Sequence, residues 1–213
     1  MSITVILLYS SIASDVLPLL AALYNYRRLD GVLKLFAFFC LIPLSFDLLE
    51  WILSKFQVHN NCPLLHLYDL FAILFFTAIY YQAFHGSILK RIALVLGIAG
   101  LVAITCNAIF IENIWTYPSI SNTVVCLLMV ILSLTYFYQL LTRQEFLHID
   151  KQGLFWINSG ILFYYSINIF LFMLYNKMSV SVRNDYYVIQ YGTSIIANLL
   201  YSVGLLCKPQ KTA

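Results

Sequence analysis

Residues 45–71 read SFDLLEWILSKFQVHNNCPLLHLYDLF, and they set Asp47, Glu50, His66 and Asp69 into chain that is otherwise soluble in oil. Carboxyl and imidazole groups so placed do three kinds of chemistry: they exchange protons, ligate a cation, or grip a polar solute. Asp47 and Glu50 are three residues apart, as are His66 and Asp69. On a helix that is about 4.5 Å along the axis and roughly 60° around it, so each pair looks into one crevice. A short loop joins the two helices, and the four side chains are expected to meet as one cluster. Carboxyls crowded together share protons, and their titrations belong to the group rather than to single residues. If the cluster holds a metal, His66, Asp69, Asp47 and Glu50 are its ligands, and one histidine among three carboxylates suits a hard divalent ion better than zinc.

An ionised Asp at the bilayer centre costs about 2.5–3.5 kcal/mol on insertion scales, so these groups must face protein or water. The bilayer itself follows from composition. Of 213 residues, 62% are hydrophobic and 10% charged, against about 25% charged in an ordinary globular domain. Apolar runs of about 20 residues recur along the chain, each long enough to cross a ~30 Å hydrocarbon layer as a helix. The expected spans are 3–24, 32–54, 64–85, 91–111, 119–141, 153–175 and 186–207. Runs such as LFAILFFTAIYY and RIALVLGIAGLVAI do not alternate in polarity as barrel strands must. The fold class is therefore all-α membrane: a seven-transmembrane-helix bundle forming a single domain over 1–213, with short breaks such as YNYRRLDG and HGSILKR between spans. The first run lacks a basic leader and a small-residue cleavage site, so it is expected to stay in the mature chain.

Lys and Arg fall unevenly on the two ends of such a bundle. Arg27, Arg28, Lys34, Lys90, Arg91, Arg143, Lys151, Lys208 and Lys211 share one end and Lys55, Lys177 and Arg183 the other, nine against three. By the positive-inside tendency the N-terminus lies outside and the C-terminus in the cytoplasm. Trp51 and Trp115 then sit at the outer interface and Trp156 at the inner one. Asp47, Glu50, His66 and Asp69 all lie toward the outer side. Asn107, Asn122, Asn168, Gln190 and Tyr191 fall at comparable depth and Asp15 deeper, so every helix offers a polar group to an outward-opening pocket. Pro18 and Pro43 lie inside spans, where proline frees a carbonyl and bends a helix around a cavity. The plainer role for the Asn and Gln residues is an interhelical hydrogen bond, worth about 0.6 kcal/mol. Glu112, Asp185 and His59 fall at interfaces and are assigned to solvent, as are His85 and His148. Ala93, Gly97, Ala99 and Ala103 mark close helix approach on the fourth span.

A net charge of +3 without a basic run gives no footprint for nucleic acid. Five cysteines, an odd number without metal-site spacing, read as small packing residues. The functional expectation is a sensor or receptor-like protein whose outward pocket binds a small ligand or responds to protons. With no output domain in the chain, it would signal through a cytoplasmic or membrane partner. The alternatives are an ion- or proton-coupled small-solute transporter and a metal-dependent intramembrane hydrolase; catalysis is the less expected role. No cofactor is expected. Microbial rhodopsins share the helix count and orientation but hold retinal on a lysine of the last span, and YYVIQYGTSIIANLLYSVGLL contains none, which excludes a retinal Schiff base. SWEET sugar carriers have prolines in both halves, whereas the fifth and sixth spans here have no internal proline. Alkaline ceramidases and adiponectin-receptor-like hydrolases bind zinc through three histidines, and only His66 lies at suitable depth.

At FWINSGILFYYSINIFLF and IIANLLYSVGLLCK the chain resembles small seven-helix integral membrane proteins of bacteria. The resemblance covers the general plan of the whole chain. It implies the helix count and a multi-pass location in the cytoplasmic (inner) membrane, with membrane lipids as neighbours, and it assigns no activity to particular residues.

Overall fold

The computed structural model describes residues 3–57, 60–142 and 151–207. His59, Arg143, His148, Lys208 and Lys211 lie outside the described residues. Among those described, the chain is all helical: α1 (Ile3–Asn25), α2 (Gly31–Phe39), α3 (Leu41–Lys55), α4 (Cys62–Ala83), α5 (Ser87–Phe110), α6 (Ser119–Thr142), α7 (Gly153–Leu174) and α8 (Val180–Leu206). Seven helical segments are long and apolar enough to cross a membrane. This is the architecture of a multi-pass membrane protein. The second of these segments, Gly31–Leu53, is made of two helices, α2 and α3. Pro43 explains the break: it has no N–H to bond the carbonyl four residues back, that of Phe39, which is where α2 ends.

The spans form a closed ring. α1 lies along α8, α8 along α7 and α7 along α6; α6 meets α5 and α4, α4 meets α5 and α2, and α3 returns to α1 and α4. On α1 the buried residues Ser11, Ser14, Pro18, Ala21, Ala22 and Asn25 recur at helical spacing, a stripe of small side chains that brings α8 close. Asn25 then bonds the carbonyls of Leu205, at 2.9 Å, and Cys207, at 3.2 Å. Aromatic rings fill the ring's interior around α2. Phe36 meets Tyr201 at 5.0 Å, Phe39 meets Phe76 at 4.5 Å, and Phe76 meets Tyr165 at 6.0 Å between centroids. α3 has no such anchor: none of its described side chains is fully buried.

On α5 the contact face runs through Ala93, Gly97, Gly100 and Ile104, all buried, whereas Ala99 and Ala103 are exposed. The expected close approach at Ala93 and Gly97 is therefore present, and that at Ala99 and Ala103 is replaced by Gly100 and Ile104. A run of small residues marks possible approach, but the 100° step per residue decides which of them face a neighbour. The tightest approach of backbone to backbone joins the start of α7 to the end of α8, where a Cβ on Gly204 would lie 2.6 Å from the carbonyl oxygen of Gly153 and 2.8 Å from Ile157 Cγ1. Backbone cannot swing aside as a long side chain can. Gly204→Ala should therefore lower stability by about 1–3 kcal/mol, whereas Gly192→Ala, on the same helix with open space around it, should not. Thermal unfolding of the two variants in one detergent checks this, and equal midpoints would refute it.

Candidate functional site

Polar residues expected in one cluster divide into two groups. On α4, Tyr68 and Asp69 are neighbours in sequence, so their side chains leave the helix about 100° apart. Tyr68 lies within electrostatic range of Asp47, Asp15 and Tyr164, and also of Asp69. Asp69 lies within electrostatic range of Glu112 and Cys126. Tyr68 is within range of both sets of acids.

The first group lies between α1, α3, α7 and α8. The Asp15 and Asp47 carboxyls lie within interaction range of each other. Carboxylate oxygens only accept, so a hydrogen bond between them requires one shared proton. Asn198 Nδ2 donates to Asp15 Oδ1 at 2.6 Å and to Ser14 Oγ at 2.9 Å, tying the pair to α8. Glu50, one turn beyond Asp47, lies within its electrostatic range and close to the side chain of Asn61. Tyr191 lies within range of both Glu50 and Asp47 and stacks on Tyr187. The side chain of Gln190 lies close to Tyr164, and Tyr164 in turn lies near Asp15 and Asp47.

The second group lies between α4, α5 and α6. Asp69 is 1% exposed, and its Oδ2 has no hydrogen-bond partner. Asn107 Nδ2 donates to Glu112 Oε2 at 2.7 Å and to Ser121 Oγ at 3.0 Å, while its Oδ1 is also unpartnered. His66 Nε2 stands 3.3 Å from the carbonyl oxygen of Thr116. Asn122 is half-buried at the start of α6, with its backbone N–H on Pro118 O at 2.9 Å. Asn168 belongs to neither group. It is buried between α7 and α8, donating to Tyr164 O at 2.8 Å and Thr193 Oγ1 at 2.9 Å.

His66, Asp69, Asp47 and Glu50 are therefore not gathered around one point, and among the described residues no three His, Cys, Asp or Glu side chains are arranged to hold a metal ion. Glu112, expected in solvent, is instead bonded: besides Asn107 it accepts from the backbone N–H of Ile120 at 3.1 Å and 3.2 Å, capping α6 from the preceding loop. Asp185 and His85 are exposed as expected. Ser14, Asn61, Tyr68, Tyr164 and Asn198 escaped the sequence reading. Asn198 carried a usable signal, the lone amide in IIANLLY; the tyrosines carried none, because the chain has 16 of them.

No protein-family model, no curated protein and no solved structure matches the chain.

The cap at α6 is a separable test of this geometry. Glu112→Ala removes the acceptor that Ile120 uses, a change worth about 1 kcal/mol at a helix N-terminus. Hydrogen exchange in the first turn of α6 should accelerate about fivefold, the factor corresponding to ~1 kcal/mol. Unchanged protection there would show that Glu112 does not cap the helix.

Proposed function

We propose that the chain is a membrane sensor of receptor-like type, in which the shared proton of Asp15 and Asp47 holds α3 against α1. One observation supports this reading: two carboxyls, Asp15 and Asp47, approach each other across the helix pair where the span is least anchored. With the proton present the bond closes α3 onto the bundle. When the proton leaves, two like charges face one another in a poorly solvated site and α3 moves outward. Glu50, Tyr191 and Gln190 line the same region and would meet a small polar ligand that competes for the carboxyls. His66 and Asp69, with Asn107, Asn122 and Glu112, belong to the second polar group. Asn168 stitches α7 to α8.

In this proposal the N-terminus is outside, the C-terminus is in the cytoplasm and the membrane is the inner membrane of a bacterium, a placement supported by the nine-to-three distribution of Lys and Arg. The state of α3 would be read by a cytoplasmic or membrane signalling partner. No nucleic acid and no cofactor takes part, and α8 offers no lysine for a retinal Schiff base. The break at Cys40 favours a second reading, ion- or proton-coupled transport of a small solute, because discontinuous helices recur around transporter sites. Solute accumulation in proteoliposomes driven by a proton gradient would decide for the transporter.

The sign of the pH response follows from the shared proton. The α1–α3 bond is complete on the acidic side and is lost as pH rises and the proton leaves. In a chain with Phe at Trp115 and Trp156, the emission of Trp51, four residues from Asp47, should shift as pH is raised. Loss of the bond should cost on the order of 1–3 kcal/mol of stability. Asp47→Asn and Asp15→Asn put an amide where the proton was, hold the contact at every pH, and should abolish the shift. A wild-type shift that persists in both variants would refute the proposal.

A further inference from the structure

The opposite end of the bundle carries a second feature, independent of the acid pair. The α4–α5 turn bends at Gly86, whose φ of 108° falls in the region that favours glycine. From there α5 runs beside α4 and leaves a groove of about 370 Å³ lined by Leu74, Ala78, Tyr81, Leu94, Gly97 and Ile98. Thr77 forms its floor: a Cβ on Gly97 would lie 2.9 Å from Thr77 Cβ, so only glycine lets the helices meet there. Leu74, Leu94 and Ile98 are exposed, so the groove opens to the hydrocarbon. Tyr81 and Gln82 also line a second cavity of about 440 Å³, bounded by Asp30, His85 and Lys90 at the turn. The two adjoin at Tyr81 and Gln82, the one lined mainly by apolar side chains and the other carrying the polar ones.

Charge identifies the occupant. Lys90 Nζ lies 5.4 Å from the Tyr81 ring centroid, at the junction of the two cavities. His85 and Gln82 add donors to the polar part. The one carboxylate there, Asp30, turns Oδ1 to the N-terminus of α2, accepting from Leu33 N at 2.8 Å, so that the helix end meets its charge on that side. A helix of a second copy docked in parallel would bring Arg27, Arg28, Lys34, Lys90 and Arg91 to this end and set like charges together. An amphiphile with one apolar chain and an anionic head fits both halves, and basic pockets between helices at the membrane edge are a known way of holding acidic lipid heads.

We propose that α4 and α5 hold one anionic phospholipid of the adjacent leaflet, with an acyl chain in the Leu74–Ile98 groove and the phosphate at Lys90, His85 and Gln82. Native mass spectrometry of the full chain, released from detergent with equal dioleoyl phosphatidylglycerol and dioleoyl phosphatidylcholine, tests it. The phosphatidylglycerol adduct should exceed the phosphatidylcholine adduct about fivefold, the equivalent of ~1 kcal/mol for one lysine at an acidic membrane surface. Lys90→Gln should make the two equal. Ala78→Phe, which fills the groove, should remove both adducts at unchanged thermal stability; Ile98→Trp on the exposed rim repeats that arm should Ala78→Phe loosen the fold. A wild type that does not discriminate, a preference that survives Lys90→Gln, or adducts that survive both groove variants would overturn the proposal. Complete displacement of phosphatidylglycerol by equimolar inorganic phosphate would also overturn it, because the site would then be one for free phosphate.

Discussion

Hydrocarbon cannot hydrogen-bond, so every polar group inside the span must find its partner within the protein. This constraint sets helix order here more than any apolar contact, since lipid tails are as oily as leucine and give no preference for one greasy face over another. Almost every closely packed helix pair is joined by an amide or hydroxyl. Asn25 and Asn198 join α1 to α8. Asn168 joins α7 to α8 through Thr193. Asn158 receives Tyr80 of α4 at 2.7 Å and Ser133 of α6 at 3.3 Å. Asn107 reaches Ser121 across α5 and α6. Gln139 of α6 accepts from the backbone of His85 at 2.7 Å and so fixes the α4–α5 turn. Each bond is individually small, yet each excludes alternative neighbours that would leave the same group bare.

The residues that break this pattern are the informative ones. Asp69 Oδ2, Asn107 Oδ1, Asn168 Oδ1 and Thr77 Oγ1 are buried without partners. An unpartnered acceptor in a dry interior costs about 1–3 kcal/mol, more when charged. Two of the four, on Asp69 and Asn107, belong to the polar group that also contains Glu112, where the donors are outnumbered by acceptors. Thr77 is different: its hydroxyl lies against Gly97, and its burial follows from the close approach of α4 and α5.

How much of this was legible in the sequence divides along physical lines. Apolar run length is a one-dimensional property, so the seven spans could be read to within a few residues; 119–141 was expected and Ser119–Thr142 is found. Which face of each helix turns inward was not legible. In a span apolar all round, the 3.6-residue periodicity that marks a soluble helix is nearly erased. The pairing of Asp47 therefore went unrecognised. Its partner is Asp15, 32 residues earlier in the chain on α1, rather than the acid of the next helix. Adjacency in sequence suggested the hairpin, but the one-residue offset between Tyr68 and Asp69 puts the α4 acid on a different face. Glu112 was misread because its position near a span end resembles a solvated one; only the fold reveals that the loop turns its carboxylate back onto the start of α6.

The division of the second span is what gives the acid pair leverage. In an unbroken helix of 23 residues, a repulsion at Asp47 would be resisted by Phe36 and Phe39, packed on rings of α8 and α4. Pro43 interrupts the hydrogen-bond ladder between those rings and the carboxyl, so that strain arising in α3 need not be transmitted to α2. The half that carries Asp47 and Glu50 has no fully buried described side chain; it meets the ring through the approach of Asp47 to Asp15, that of Glu50 to Asn61, and the contacts of Phe46 with Tyr68 and Phe71, among others. In the proposed sensor, a change of a few kcal/mol at the acid pair, negligible against the packing of the bundle as a whole, would act on the least buried half of the span, which is what would let a single proton move a helix without unfolding the protein.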